Sequence, residues 1–440
     1  MIDINFIKEK SKYILKNVPL FTIVFIGLVA SFLLLMTLSS LFPSSLIEKN
    51  VIESSETMLE EGNMYVLPFG PEFTIHNFAD TVMINIAYSI DNEDPFFSFM
   101  SSRKNFKKGL TTETKTDTEL ESISIISGDV IVMHEKYNPT QELYDFVRDN
   151  VHISVEYARY WHGYLVFLRP LLIFFNLNQL RIFIMILLIV LLTWLIVLIC
   201  KKLDWKVAFC FLFTLLFYDY IQLAFCLEYS PVFFVMMIAC IVLMYNYKKI
   251  KNLYLFFFIV ACICNFIDFL TVPLITLCFP LILYILLIQK EEKYDLKASL
   301  LLILKATIVW FIGYGLTWLS KWLLFDICYN RSLLFNAIGH VLYRTTRHNF
   351  MAPATLDKEL LDFALPFIPL LLVIITAVLF SKEKKTEFLK EVLPFIVLSI
   401  FPIIWYVVCA NHTTLHPFFV ERHMIIPFFS ILLMIKKKLF

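Results

Sequence analysis

His76 and Asp80, in the run HNFAD, stand four residues apart, a spacing that puts two side chains on one face of a helix. A carboxylate beside an imidazole makes a general base with the group that orients it; the same pair also serves as a surface cap. His162, in EYARYWHGYLVFLRP, is a second imidazole that could orient the acid. His412 and His416 repeat the i,i+4 spacing within NHTTLHPFFVER. Metal ligation at that spacing calls for an HExxH pattern, which is missing here, whereas histidines bonded to their neighbours need none. Lys321 and Arg422 could clamp a phosphate, the guanidinium as a fork and the ammonium as a point charge, or could snorkel toward lipid head groups. Arg181, Glu228, Tyr229 and Asp268 complete the set, each at one end of an apolar run. Asp268 either caps the helix that follows or pairs with a cation. No metal site is read from these residues; a divalent cation is the one candidate cofactor.

The elements that must position them are membrane helices. Of 440 residues, 59% are hydrophobic and 17% charged, which excludes an ordinary soluble domain. The formal charge of +1 excludes an electrostatic nucleic-acid binder. A spanning helix needs roughly 20 apolar residues. Ten such runs lie near 19–42, 181–200, 205–224, 230–247, 252–270, 272–289, 299–324, 363–380, 391–409 and 423–436. Twenty lysines occupy the N-terminus, alternate short loops and the C-terminus, which places both termini in the cytoplasm. The first run reads as a retained signal anchor. The nine cysteines lie in or beside apolar runs and form no CxxC, so neither a disulfide framework nor structural zinc is expected.

The expected architecture is therefore an all-α polytopic membrane protein of about ten transmembrane helices, with a small α/β subdomain in its first outer loop. Its divisions are 1–42 (N-terminus and anchor), 43–180 (large outer loop), 181–324 (helices two to seven), 325–362 (second outer loop) and 363–440 (helices eight to ten). Within the large loop, Ser122–Ile126 and Val130–Met133 flank a Ser-Gly-Asp turn and predict a hairpin. Asn138-Pro139 predicts a helix start. Tyr157, Tyr160, Trp161 and Tyr164 at helical spacing predict an interfacial helix over 156–170. Lysines collect on one face and the candidate acids, histidines and arginines on the other, so the working face is the outer one.

This layout resembles the GT-C class of polytopic glycosyltransferases. The resemblance rests on the cytoplasmic N-terminus, the long first outer loop with EYARYWHGY, Asp80 within that loop, and basic residues at later outer helix ends. Runs such as NFAD, YWHGY, DFLTVP and NHTTLHPFFVER also resemble segments of uncharacterised bacterial polytopic membrane proteins. The GT-C resemblance implies an inverting transfer of a sugar from a polyprenyl-phosphate carrier to a glycan or lipid acceptor, at the outer face of the plasma membrane, in cell-envelope synthesis. It would make Asp80 the base, His76 or His162 its orienting partner, and Arg422, Lys321, His412 and His416 the phosphate site. An envelope polysaccharide polymerase or ligase using Arg344, Arg347 and His348, and a lipid-linked saccharide transporter, are the alternatives.

Overall fold

The computed structural model describes residues 4–66, 74–90, 92–107, 123–126, 129–132, 138–148, 152–218, 220–291, 295–345 and 385–439. The chain is mostly helical. In order it forms α1 (Ile4–Ser40), α2 (Glu48–Glu61), β1 (Met64–Val66), β2 (Thr74–His76), α3 (Asn77–Tyr88), α4 (Pro95–Ser101), β3 (Arg103–Lys107), β4 (Ile123–Ile126), β5 (Asp129–Val132), α5 (Pro139–Phe146), β6 (His152–Glu156) and α6 (Leu165–Phe174). There follow α7 (Leu177–Lys202), α8 (Trp205–Phe217), α9 (Ser230–Asn246), α10 (Leu253–Ile267), α11 (Ile275–Lys290), α12 (Leu296–Tyr329) and α13 (Leu333–Thr345). The last are α14 (Lys385–Ser399), α15 (Phe401–Val408), α16 (Ala410–Leu415), α17 (Pro417–Val420) and α18 (Ile425–Leu439).

Among the described residues, four segments are long and apolar enough to cross a bilayer: Val18–Ser40, Leu177–Lys202, Leu296–Tyr329 and Glu387–Val408. In α7 the buried residues Leu177, Leu180, Ile184, Leu188, Leu195 and Leu198 form one stripe, yet the outward face carries Ile182, Ile186, Ile189, Val190 and Val197. A helix apolar on both faces belongs in lipid or in a deep core. Its ends are set by the Asn176–Gln179 capping box and by Lys201 and Lys202 in the last turn. Hydroxyls in α1 bond back to the preceding turn, Thr22 to the Val18 carbonyl at 3.0 Å and Ser31 to that of Gly27 at 2.7 Å. Those two hydroxyls therefore need no water partner. The helices α8 to α11 are shorter, and α9 and α11 are buried along most of their length. Where α10 meets α12, Gly313 lets the chains approach: a Cβ there would lie 2.8 Å from the Phe258 carbonyl oxygen.

Residues between α1 and α7 form helices with three two-stranded antiparallel ladders, β1–β2, β3–β6 and β4–β5. The expected hairpin is β4–β5, pairing Ile126 with Asp129. The expected helix start is α5, whose Asn138 side chain accepts from the Gln141 amide at 3.3 Å. The aromatic segment differs from expectation. Chain 156–170 is not one helix: β6 ends at Glu156, α6 begins at Leu165, and His162 between them has φ +55°. The aromatic rings pack inward on one another instead of lying in a surface stripe, with Tyr160 5.5 Å and Tyr164 5.0 Å from Phe269. Trp161 is fully buried and donates to the Thr317 carbonyl at 2.7 Å. Gly163 makes this possible, because its amide reaches the Phe266 carbonyl at 2.8 Å where a Cβ would stand 2.4 Å from that oxygen.

Other boundaries move for local reasons. The third apolar run ends as a helix at Phe217 and continues as a 3-10 turn, Tyr220–Ala224. The fifth ends at Ile267, where Asp268 turns extended and Leu270 adopts φ +70°. The ninth is divided after Ser399, with Pro402 in the first turn of α15. The segment expected as the second outer loop contains α13, an amphipathic helix. The expected span 363–380 and the residues Arg347 and His348 lie outside the described residues.

Candidate functional site: a cationic, aromatic cavity beside buried carboxylates

Asp80 sits in the first turn of α3, fully buried. Its two carboxylate oxygens accept from backbone amides, Oδ2 from Leu227 at 2.9 Å and Oδ1 from Glu228 at 3.2 Å. Burial pushes its pKa up to about 7 against the opposing pull of those amides and of Arg181. His76 does not share its helical face, because it is the last residue of β2 and precedes α3. His162 is engaged elsewhere. Its Nε2 donates to the Tyr157 carbonyl at 2.7 Å and its Nδ1 meets the Tyr164 hydroxyl at 3.2 Å. Burial lowers its pKa to about 3, so it is neutral. His162 is thus held by partners other than Asp80, whose oxygens rest on two backbone amides.

What Asp80 positions is the turn bearing Glu228. Among the described residues the Glu228 carboxylate forms no ion pair, and the residue is 9% exposed. Its pKa lies well above the usual range, first through burial and then through the charges of Asp80 and Asp268, with Arg422 opposing. Asp268 caps the turn after α10, accepting from the Thr271 amide at 3.1 Å and its hydroxyl at 2.5 Å, and burial lifts it to about 6. Tyr229 is buried with the Arg422 guanidinium 4.1 Å from its ring centroid. Arg422 also donates to the Gln222 side chain.

Two of the expected phosphate ligands have other partners. Lys321 is fully buried and donates to the carbonyls of Met100 at 2.9 Å and Phe99 at 3.4 Å, which joins α12 to the end of α4. Arg181 forms a forked pair with Glu61 at 2.5 and 2.9 Å and reaches Asn77 at 3.2 Å, joining α7 to α2 and α3. His412 and His416 do stand together, with ring centroids 5.0 Å apart. Yet among the described residues no three His, Cys, Asp or Glu converge as metal ligands. His412 Nε2 donates to the Leu270 carbonyl at 2.9 Å and its Nδ1 accepts from Arg344 at 2.5 Å, which holds the ring neutral. Burial and Arg344 keep the pKa of both histidines low, that of His416 at about 3.

Arg344 leads to the feature that sequence reading missed, a cavity of about 400 Å³ between α12, α13 and α15. Along α12 its wall is Thr307, Phe311, Tyr314, Gly315, Trp318 and Trp322, one helical face. Across from it stand Leu274, Phe401, Ile404, Trp405 and Val408. Three basic side chains, Arg159, His340 and Arg344, also line it. Arg159 donates to His340 at 2.9 Å, so this ring too offers an acceptor to a guanidinium. The rest of the wall is mostly aromatic and aliphatic, with Thr307, Thr345 and Cys409. The available signal was the i, i+4, i+7, i+11, i+15 series within α12, hidden because most residues between its members are also apolar or aromatic. One turn links the cavity and the carboxylates: Leu270 lines the cavity, and the charge of Asp268, two residues earlier, helps raise the pKa of Glu228. Comparison with protein-family models, curated proteins and solved structures finds no match for this chain.

Proposed function

We propose that the protein is a membrane-embedded glycosyltransferase that takes a sugar from a polyprenyl-phosphate carrier at the outer face of the membrane. The observation that carries this reading is the cavity, which joins two guanidiniums to an aromatic and aliphatic wall. That pairing suits an anionic head on an isoprenoid tail. The buried carboxylates beside it supply the second requirement, a base of raised proton affinity in a water-poor site.

In the reaction an acceptor hydroxyl attacks the anomeric carbon. A new C–O bond forms as the bond from that carbon to the phosphate oxygen breaks, and the electron pair leaves with the phosphate. Glu228 receives the hydroxyl proton. Arg159 and Arg344 hold the departing phosphate, stabilising charge where it develops. Asp80, its oxygens on the amides of Leu227 and Glu228, is a positioning residue. The test uses the full chain in nanodiscs with radiolabelled prenyl-phosphate sugars and an envelope-lipid extract as acceptor. Glu228→Gln is expected to lower turnover by about 100-fold or more while leaving carrier binding unchanged. Arg344→Gln is expected to weaken carrier binding by about tenfold. Wild-type turnover in Glu228→Gln would remove the base, and Arg344-independent binding would remove the carrier site.

A further inference from the structure

The two arginines of the cavity are held by imidazoles. Arg159 donates to His340 Nε2 at 2.9 Å, and Arg344 to His412 Nδ1 at 2.5 Å. A guanidinium only donates, so the ring nitrogen facing it carries no proton and each imidazole is neutral. Elsewhere the chain sets arginines against carboxylates: Arg148 against Glu56, Arg181 against Glu61 and Arg331 against Glu156. Among the described residues Arg159 and Arg344 have no carboxylate partner, and none of those lining the cavity is an Asp or a Glu. The imidazoles therefore fix the two guanidiniums without cancelling their charge. Both arginines are half-buried and line the cavity, so a ligand inside it can touch them.

Their spacing suits a single anion. His340 and Arg344 stand four residues apart on α13 and both line the cavity. Arg159, bonded to His340, therefore lies about one helical turn from Arg344, a separation of roughly 6 Å. Burial, with Tyr160, pushes the Tyr157 pKa up to about 12, and both guanidiniums oppose it, so the two charges reach one point. One tetrahedral phosphate can meet both forks.

The charge of the carrier changes during the transfer. Loaded with its sugar, the carrier is a phosphodiester with one negative charge. When the bond from the anomeric carbon breaks, the electron pair stays on the phosphate oxygen and the acceptor's proton passes to Glu228. The spent carrier is a phosphomonoester, whose second ionisation near pH 6 brings it close to two negative charges at about pH 7.5. Two uncancelled guanidiniums match that second state better than the first.

We infer that the cavity is a site for a phosphomonoester dianion, which binds the spent prenyl phosphate more tightly than the sugar-loaded diester. This inference rests on the lipid-phosphate reading above and adds which form of the carrier the site prefers. The spent carrier then competes with the loaded one for the same two guanidiniums.

The test measures equilibrium binding at about pH 7.5 to the full chain in nanodiscs of zwitterionic lipid, with farnesyl phosphate and its methyl diester as probes. The two share a tail and differ by one charge. Farnesyl phosphate is expected to bind about tenfold tighter or more. Arg159→Gln and Arg344→Gln should each reduce that preference to about threefold or less, while Arg159→Lys and Arg344→Lys, which keep the charge, should hold it above that. Inorganic phosphate has the charge without the tail and should not compete at about 10 mM. Equal binding of the two probes by the wild-type chain overturns the dianion preference, and that comparison depends on no variant's folding. A preference that survives both glutamine variants overturns its assignment to these guanidiniums. If farnesyl phosphate still depends on Arg344 when the two probes bind equally, the lipid-phosphate reading stands. Binding of both probes that ignores Arg344→Gln overturns that reading and the preference with it. Inorganic phosphate that competes as well as farnesyl phosphate would make this a free-phosphate site and overturn the carrier.

Discussion

At the scale of single residues, the decisive distinction is between side chains whose polar atoms are engaged and those left available. Asp80, the acid that spacing singles out, has both oxygens on backbone amides, whereas the Glu228 it positions has no ion-pair partner among the described residues. A pH dependence follows. Proton affinity is raised at Glu228, at Asp80 to about 7 and at Asp268 to about 6, and the charges of Asp80 and Asp268 add to the effect of burial at Glu228. A base must be deprotonated, so kcat/KM should still be rising with pH at about 7. Asp80→Asn removes a negative charge that raises Glu228, so the rising limb should move to lower pH; an unmoved midpoint would show that Asp80 does not act through Glu228. Lys321 is a contrasting case, since its ammonium faces two carbonyls at the end of α4. Lys321→Met should cost about 1–3 kcal/mol of stability by removing the ammonium donor from the Met100 carbonyl, the Phe99 carbonyl keeping the Ser102 hydroxyl, with farnesyl phosphate affinity unchanged. A parallel loss of affinity in a folded variant would return Lys321 to the phosphate site.

At the scale of elements, helix length sets where the site lies. The helices α8, α9, α10 and α11 have 13, 17, 15 and 16 residues. At 1.5 Å per residue they reach about 20–25 Å, less than the roughly 30 Å of a hydrocarbon core. The turns that finish them, around 220–230 and 268–274, are non-helical and mostly buried. Irregular backbone at such depth is tolerated where protein covers it, and those turns carry Glu228 and Asp268. Their packing depends on close approach. Gly163→Ala would press a Cβ against the Phe266 carbonyl oxygen, and a loss of about 2 kcal/mol or more is expected, read as a lower unfolding midpoint. Gly315→Leu is the opposite case. It enters open space on a helix, so the fold should gain up to about 1 kcal/mol from helix propensity while the cavity fills. Carrier binding that survives Gly315→Leu would place the ligand elsewhere.

At the scale of the whole molecule, charge is sorted along the chain. Twenty lysines gather at the N-terminus, alternate helix ends and the C-terminus, while Asp80, Glu228, Asp268, Arg344 and Arg422 belong to the intervening turns and helices. The topology this implies can be measured with sites that are exposed, which excludes Asp80. Glu93 and Lys249 are both exposed. In a background without native cysteines, Glu93→Cys should react with a membrane-impermeant maleimide on intact cells and Lys249→Cys only after permeabilisation. The reverse pattern would put the cavity on the cytoplasmic side and end the outer-face reading.

By itself the sequence determined the properties that depend on local composition: a mostly helical chain with apolar helices long enough to span a bilayer, the hairpin β4–β5, the start of α5 at Asn138, and the turns where ionisable residues cluster. Each follows from neighbours within a few residues, through hydropathy, capping and charge. The tertiary structure decided which of those ionisable residues are available. Asn77 and Glu61 meet Arg181, α4 meets Lys321, and the amides of 227–228 meet Asp80, across separations that no local pattern records. It also decided the cavity, because Arg159, Arg344 and the α12 stripe become neighbours only when α12, α13 and α15 pack. Such a cavity is built from long-range contacts, which depend on which distant segments fold together.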